Sequence, residues 1–126
     1  MRCLSMGVRS YRDLVAWQKS MDLVIAIYRS TQGFPRTETY GLVSQLRRAA
    51  VSIPSNIAEG HARVSTGEFK QFLGHALGSV MEVETQVLIA HRLGYLELAV
   101  SDDLLQRTAE IGKVVNGLLR SLSRGR

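Results

Sequence analysis

Apolar residues recur at three- and four-residue steps in four stretches of the chain, with short polar or glycine-bearing breaks between them. The first stretch opens at Asp13, read as an N-cap, and places Leu14, Trp17, Met21, Val24, Ile25 and Tyr28 together before Gly33 and Pro35 interrupt it. The second runs from about Thr39 to Ala62, with Leu42, Leu46, Ala49, Ala50, Ile53 and Ile57 on one side. The third starts at Ser65 or Thr66, where Ser65 and Glu68 have the spacing of a capping box. Its stripe is Phe69, Phe72, Leu73, Ala76, Val80, Val83, Val87 and Ala90, ending near Gly94. The fourth takes Ser101 as its cap, sets Asp102 and Asp103 against the positive end of the helix dipole, and carries Leu104, Thr108, Ile111, Val115, Leu118 and Leu122. No stretch alternates with period two. The pattern predicts an all-α fold, an antiparallel up-down four-helix bundle with helices of about 18–28 residues and connections of about 4–8. A disordered tail over residues 1–10 precedes a single domain spanning 11–124.

Pro54 lies well inside the second stretch. A proline there removes the hydrogen bond to the Ala50 carbonyl and costs about 3 kcal/mol if uncompensated. Either the helix stops at Ile53 and restarts at Ser55, or one helix kinks at Pro54. Leu46, Ile53 and Ile57 stay in phase across the proline, which favours the kink. Ser52, Ser55 and Asn56 are short polar groups able to bond nearby backbone.

The remaining two sides of this helix follow from about 100° per residue. Gln45, Ser52, Asn56, Glu59 and Arg63 fall on one flank, Arg47 on the other, and Arg48 and Ser55 point outward. The flank of Gln45, Ser52, Asn56 and Glu59 meets a partner, RNA or a second subunit, or else serves the proline-interrupted backbone internally, with Glu59 pairing Arg63 at i,i+4. On the third helix, Gly74, Gly78, Met81, Thr85 and Leu88 occupy the side away from Ala76 and Val80. Glycine in a helix interior costs about 1 kcal/mol relative to alanine. Small and apolar residues on an outer face predict a subunit interface, with tolerated defects or an internal bulky neighbour as the alternative.

Composition sharpens this picture only in part. The chain has 126 residues and a net charge of +5, and the whole surplus lies in the first half. Arginine exceeds lysine, which suits bidentate contact with phosphate. Arg9, Arg12, Lys19, Arg47, Arg48 and Arg63 are therefore the candidate polyanion-binding residues, set against the simpler reading of solvated surface arginines. Aromatic residues are sparse, so the sequence does not indicate a base-stacking platform. Trp17 reads as core, and Tyr11, Tyr28, Tyr40 and Tyr95 sit near segment ends where their hydroxyls stay wet.

Other chemistry finds little footing. His61, His75 and His91 lack metal-ligand spacing, and the Glu-x-x-His pattern of di-iron bundles is missing. Cys3 stands in the N-terminal tail with no base nearby, and one cysteine makes no disulfide framework. Glu82 and Glu84 are about 200° apart on their helix, which argues against a paired-carboxylate site. No apolar run approaches the ~20 residues of a membrane span. The expectation is a cytoplasmic protein without catalytic residues, cofactor or metal.

The segment from Tyr40 to Gly60, YGLVSQLRRAAVSIPSNIAEG, is highly distinctive. It resembles the bacterial four-helix-bundle family named after proteins encoded within intervening sequences of 23S ribosomal RNA genes. Supporting pieces appear in order: DLVAWQK from Asp13 to Lys19, Phe34 with Pro35, Gly78 with Ser79 followed by Glu82, and LGYL from Leu93 to Leu96. The resemblance spans residues 11–122 and implies an up-down bundle, a ring-forming homo-oligomer (a pentamer), and no established enzymatic activity. A related protein, the accessory variability protein of diversity-generating retroelements, binds nucleic acid and a reverse transcriptase through basic surface. The partners implied are therefore other copies of the chain, nucleic acid, and a reverse transcriptase or ribosomal component. The expected function is a non-catalytic homo-oligomer that binds RNA or an RNA-protein complex, with an oligomeric protein-protein adaptor as the alternative.

Overall fold

The computed structural model describes residues 9–124. Four helices carry the fold: α1 (Val15–Thr31), α2 (Leu42–His61), α3 (Thr66–Arg92) and α4 (Leu98–Arg124). Short 3-10 turns at Tyr11–Asp13 and Arg36–Glu38 precede α1 and α2. Contacts run from α1 to α2, α2 to α3, α3 to α4 and α4 back to α1, and the α2–α3 interface is the most extensive. This closed circuit makes a helical bundle around a single core. Its fully buried side chains include Leu23 and Ile27, Leu46, Ile53 and Ile57, Phe69, Leu73 and Val83, and Leu104, Ile111 and Val115.

The stripes expected on α2, α3 and α4 match the buried residues closely, with Leu42, Phe72 and Leu118 half-buried at their margins. On α1 the expected stripe is corrected. Its inward side is Ala16, Ser20, Leu23, Ile27 and Thr31, while Met21, Ile25 and Tyr28 are exposed. The cause is local hydrogen bonding. Ser20 Oγ donates to the Ala16 carbonyl at 2.6 Å and Thr31 Oγ1 to the Ile27 carbonyl at 2.8 Å. Hydroxyls satisfied by their own helix can be buried, so a pattern read from apolar residues alone turns the helix the wrong way.

Two helix starts also differ from expectation. Asp13 does not cap α1; its carboxylate accepts the Arg9 and Ser10 amides at 2.7 and 3.2 Å, while Ser10 Oγ accepts the Arg12 amide at 3.0 Å. These bonds close the 3-10 turn, and Leu14 takes the α1 N-cap position. Ser101 does not cap α4, which already begins at Leu98, its first turn closed by the Ser101 amide on the Glu97 carbonyl at 2.9 Å. Ser101 is buried, and its hydroxyl has no partner among the described residues. Asp102 and Asp103 consequently fall beyond the first turn, and Asp103 pairs with Arg107 at 2.9 Å instead.

Other ends follow their chemistry. Ser65 Oγ accepts the Glu68 amide at 3.1 Å and caps α3. At the far end of α3, Gly94 adopts φ +81°, a conformation available to glycine, and Tyr95 donates its amide back to the Ala90 carbonyl at 2.9 Å. Helix α2 begins at Leu42, whose amide is accepted by Glu38 Oε1 at 3.1 Å. It then runs unbroken through Pro54, which is buried. Between the readings left open at this proline, the interrupted helix is not what forms.

Candidate nucleic-acid interface

The six candidate cations do not gather on one surface. Lys19 lies between α1 and α4, where its Nζ meets Glu110 at 3.3 Å. Arg63 pairs with Glu59 at 2.9 Å, one turn away, and its guanidinium sits 4.8 Å from the centre of the Phe72 ring. Arg47 is half-buried between α1 and α2. It donates from Nε to Thr31 Oγ1 at 3.0 Å and from a terminal nitrogen to the Tyr28 carbonyl at 3.3 Å, and it covers the Tyr28 ring at 4.4 Å. Each of these three has work within the bundle.

Arg9, Arg12 and Arg48 are exposed. Arg9 stands near Asp13, whose carboxyl is held below its ordinary value chiefly by the Arg9 amide, then by the Ser10 amide. Arg12 lies beside the Tyr11 ring, 5.9 Å from its centre. Arg48 projects from the second turn of α2, and among the described residues no carboxylate pairs with it. Arg29 and Arg36, which sequence reasoning did not single out, are exposed in the same way. Their position in the basic first half is the only signal that could have found them.

The polar flank of α2 faces α3. Asn56 Nδ2 donates to the Ser52 carbonyl at 2.8 Å and to Ser52 Oγ at 2.9 Å, and Ser79 Oγ donates to Ser52 Oγ at 2.9 Å. Nearer the start of α2, Gln86 Nε2 donates to Gln45 Oε1 at 3.3 Å. Near its end, Gly60 is buried so closely that an added Cβ would lie 2.6 Å from Phe72 Cβ and 3.0 Å from Phe69 Cδ1. Ser52, Asn56, Glu59 and Arg63 thus bond within the bundle, though none of these bonds reaches the Ala50 carbonyl that Pro54 leaves without its helical partner.

Two of the exposed surfaces bear on the expected roles. On α3, Gly74, Gly78, Met81, Thr85 and Leu88 all face outward, Met81 at 52% and Leu88 at 44% exposure. A Cβ added at Gly74 or Gly78 meets nothing within 4 Å, so the single bundle makes no demand for glycine at either position. Between α1 and α2 a groove of about 480 Å³ opens, lined by Tyr28, by Tyr40 from the turn before α2, and by Arg47 and Arg48. Nothing in the linear order of residues announces aromatic rings gathered beside arginines, because Tyr28 and Tyr40 belong to different elements.

The three histidines have separate surroundings. His61 meets the Phe69 ring edge-on and His75 the Phe72 ring, while His91 Nδ1 lies 3.1 Å from the Leu96 carbonyl oxygen. Among the described residues no cluster of His, Cys, Asp and Glu is placed to hold a metal ion, and no helix is long and apolar enough to cross a membrane. Cys3 lies outside the described residues.

Comparison with solved structures places the fold beside a crystal structure from Bacteroides thetaiotaomicron, a protein of unknown function from the S23 ribosomal protein family. The two superpose with a TM-score of 0.75 at 22% identity, over 83% of this chain and 98% of the other. No curated protein matches the chain. The family model described as 23S rRNA-intervening sequence protein matches residues 12–117, and with four helices in a closed circuit the chain belongs to that family.

Proposed function

We propose that the protein is a non-catalytic homo-oligomer that binds nucleic acid, RNA or an RNA-protein complex, through exposed arginines of its N-terminal half. The observation that carries the reading is the charge surplus of the first half together with exposed guanidiniums, Arg12 and Arg48 foremost, that have no carboxylate partner among the described residues. Contacts of this kind go to phosphate, are largely independent of sequence, and weaken steeply with salt.

The outward strip of α3 supports self-association. Glycines that the bundle does not require, beside exposed Met81 and Leu88, let a neighbouring helix approach closely. In a ring, pentameric by family resemblance, several weak phosphate contacts act together and gain avidity. Two measurements test this. Purified protein should retain RNA at ~50 mM salt and release it as salt rises; no retention at that salt overturns the nucleic-acid reading and leaves the adaptor role. Replacing Gly74 and Gly78 by Glu should lower the mass in solution, and an unchanged oligomer would remove α3 as the interface.

A further inference from the structure

We propose, resting on the nucleic-acid reading above, that the groove between α1 and α2 holds an unpaired nucleotide of a single strand, its base stacked on Tyr40 and its phosphate held by Arg48. The groove of about 480 Å³ lies within the usual range of small-ligand sites, about 300–1,000 Å³. Tyr40 is 97% exposed on the turn preceding α2, so its ring serves no part of the core. Tyr28 also lines the groove and is held in place. Arg47 covers its ring at 4.4 Å and is itself anchored to Thr31 Oγ1 and the Tyr28 carbonyl.

The polar lining has one character. Arg48 is exposed on the groove, and the hydroxyls of Thr39 and Ser44 stand along it. No carboxylate lines the groove among the described residues. A planar, apolar group joined to an anion fits this set: tyrosine faces for a base, guanidinium and hydroxyls for a phosphate. Bases in a duplex have both faces covered by their neighbours, so only an unpaired one can take up the Tyr40 ring.

The test measures fluorescence anisotropy of a labelled single-stranded RNA of about 12 nucleotides, and of the same sequence as a duplex, at ~50 mM salt. Wild type is compared with Tyr40→Phe, Tyr40→Leu and Arg48→Gln. Tyr40→Leu should weaken single-strand binding by roughly 5- to 150-fold while changing duplex binding less than about twofold. Tyr40→Phe should bind as wild type does, and Arg48→Gln should weaken the single strand as well. If wild type binds RNA and Tyr40→Leu binds the single strand within about twofold of it, the groove is not the site, although the broader reading stands. If wild type binds neither RNA, both fall. Loss of binding by Tyr40→Leu with a changed mass in solution would make the groove a contact between copies, which also overturns the proposal. Tyr40 lies outside the core, so an unchanged circular dichroism spectrum is expected for every Tyr40 variant.

Discussion

Toward α3, helix α2 presents Ser52, whose hydroxyl meets Ser79, and the bare backbone of Gly60, which lies against Phe72 and Phe69. Toward α1 it presents Val43, Arg47 and Val51, bridged by one guanidinium and otherwise left open as a groove. At Gly60 the first side closes by fitting a small residue against the Phe72 and Phe69 rings, while farther along it Ser52 and Asn56 border an open groove with Gly74 and Gly78. The other is spanned by a long side chain, and Val51 and Tyr28 stay 40% and 39% exposed beside it. The contrast separates Gly60, which the fold consumes, from Val51 and Tyr28, which it leaves partly open.

Substitutions can break that contrast at its strongest point first. Gly60→Ala sets a Cβ against Phe72 and Phe69 and should destabilise by about 1–3 kcal/mol. Val51→Ala on the open side should stay within about 0.5 kcal/mol. Urea unfolding midpoints of the two variants make the comparison, and equal losses would show that the fold depends on the groove side no less than on the other. Next in size is Arg47→Met, which gives up two hydrogen bonds and the cover over Tyr28. The expected loss is about 1–2 kcal/mol, moderated because Thr31 keeps its bond to the Ile27 carbonyl. Ser79→Ala removes the hydroxyl that reaches Ser52 and should cost about 1 kcal/mol in the same assay.

The smallest expected effect is a pH dependence at the end of the bundle where Tyr95 meets Glu38. The Tyr95 hydroxyl donates to Glu38 Oε2 at 3.0 Å, which raises its ionisation above the ordinary value of 10.0. A group raised on folding contributes stability that is complete below the unfolded value and lost as pH climbs through the folded one. Stability should therefore decline above about pH 10, and Tyr95→Phe should flatten that decline. Asp13 behaves in mirror image: its lowered ionisation makes a contribution present above about pH 3.8 and lost on acidification. Denaturation midpoints followed across both pH ranges read both slopes.

Much of the fold is legible in the sequence because α2 and α3 keep mostly apolar or small residues inward, and on α4 Thr108 falls in phase with Leu104, Ile111 and Val115. Helix α1 misleads for a definite reason. Ser20 and Thr31 look solvent-facing in a sequence, and only the bonds to their own helix reconcile them with burial. The polar flank of α2 is recognisable as a unit, yet its pairing with Ser79 and Gln86 depends on which helix lies opposite. The outward strip of α3 is visible at once, since glycine at repeated helical steps is conspicuous. The groove is hidden, because Tyr28 and Tyr40 become neighbours only after the connection between α1 and α2 has turned the chain.

Glu38 has one further consequence. Its two oxygens are shared out, Oε1 to the Leu42 amide and Oε2 to the Tyr95 hydroxyl, so the linker ahead of α2 is fastened to the linker ahead of α4. Fraying of either linker gives up that shared hydrogen bond, so amide protons in both should exchange with deuterium faster in Tyr95→Phe.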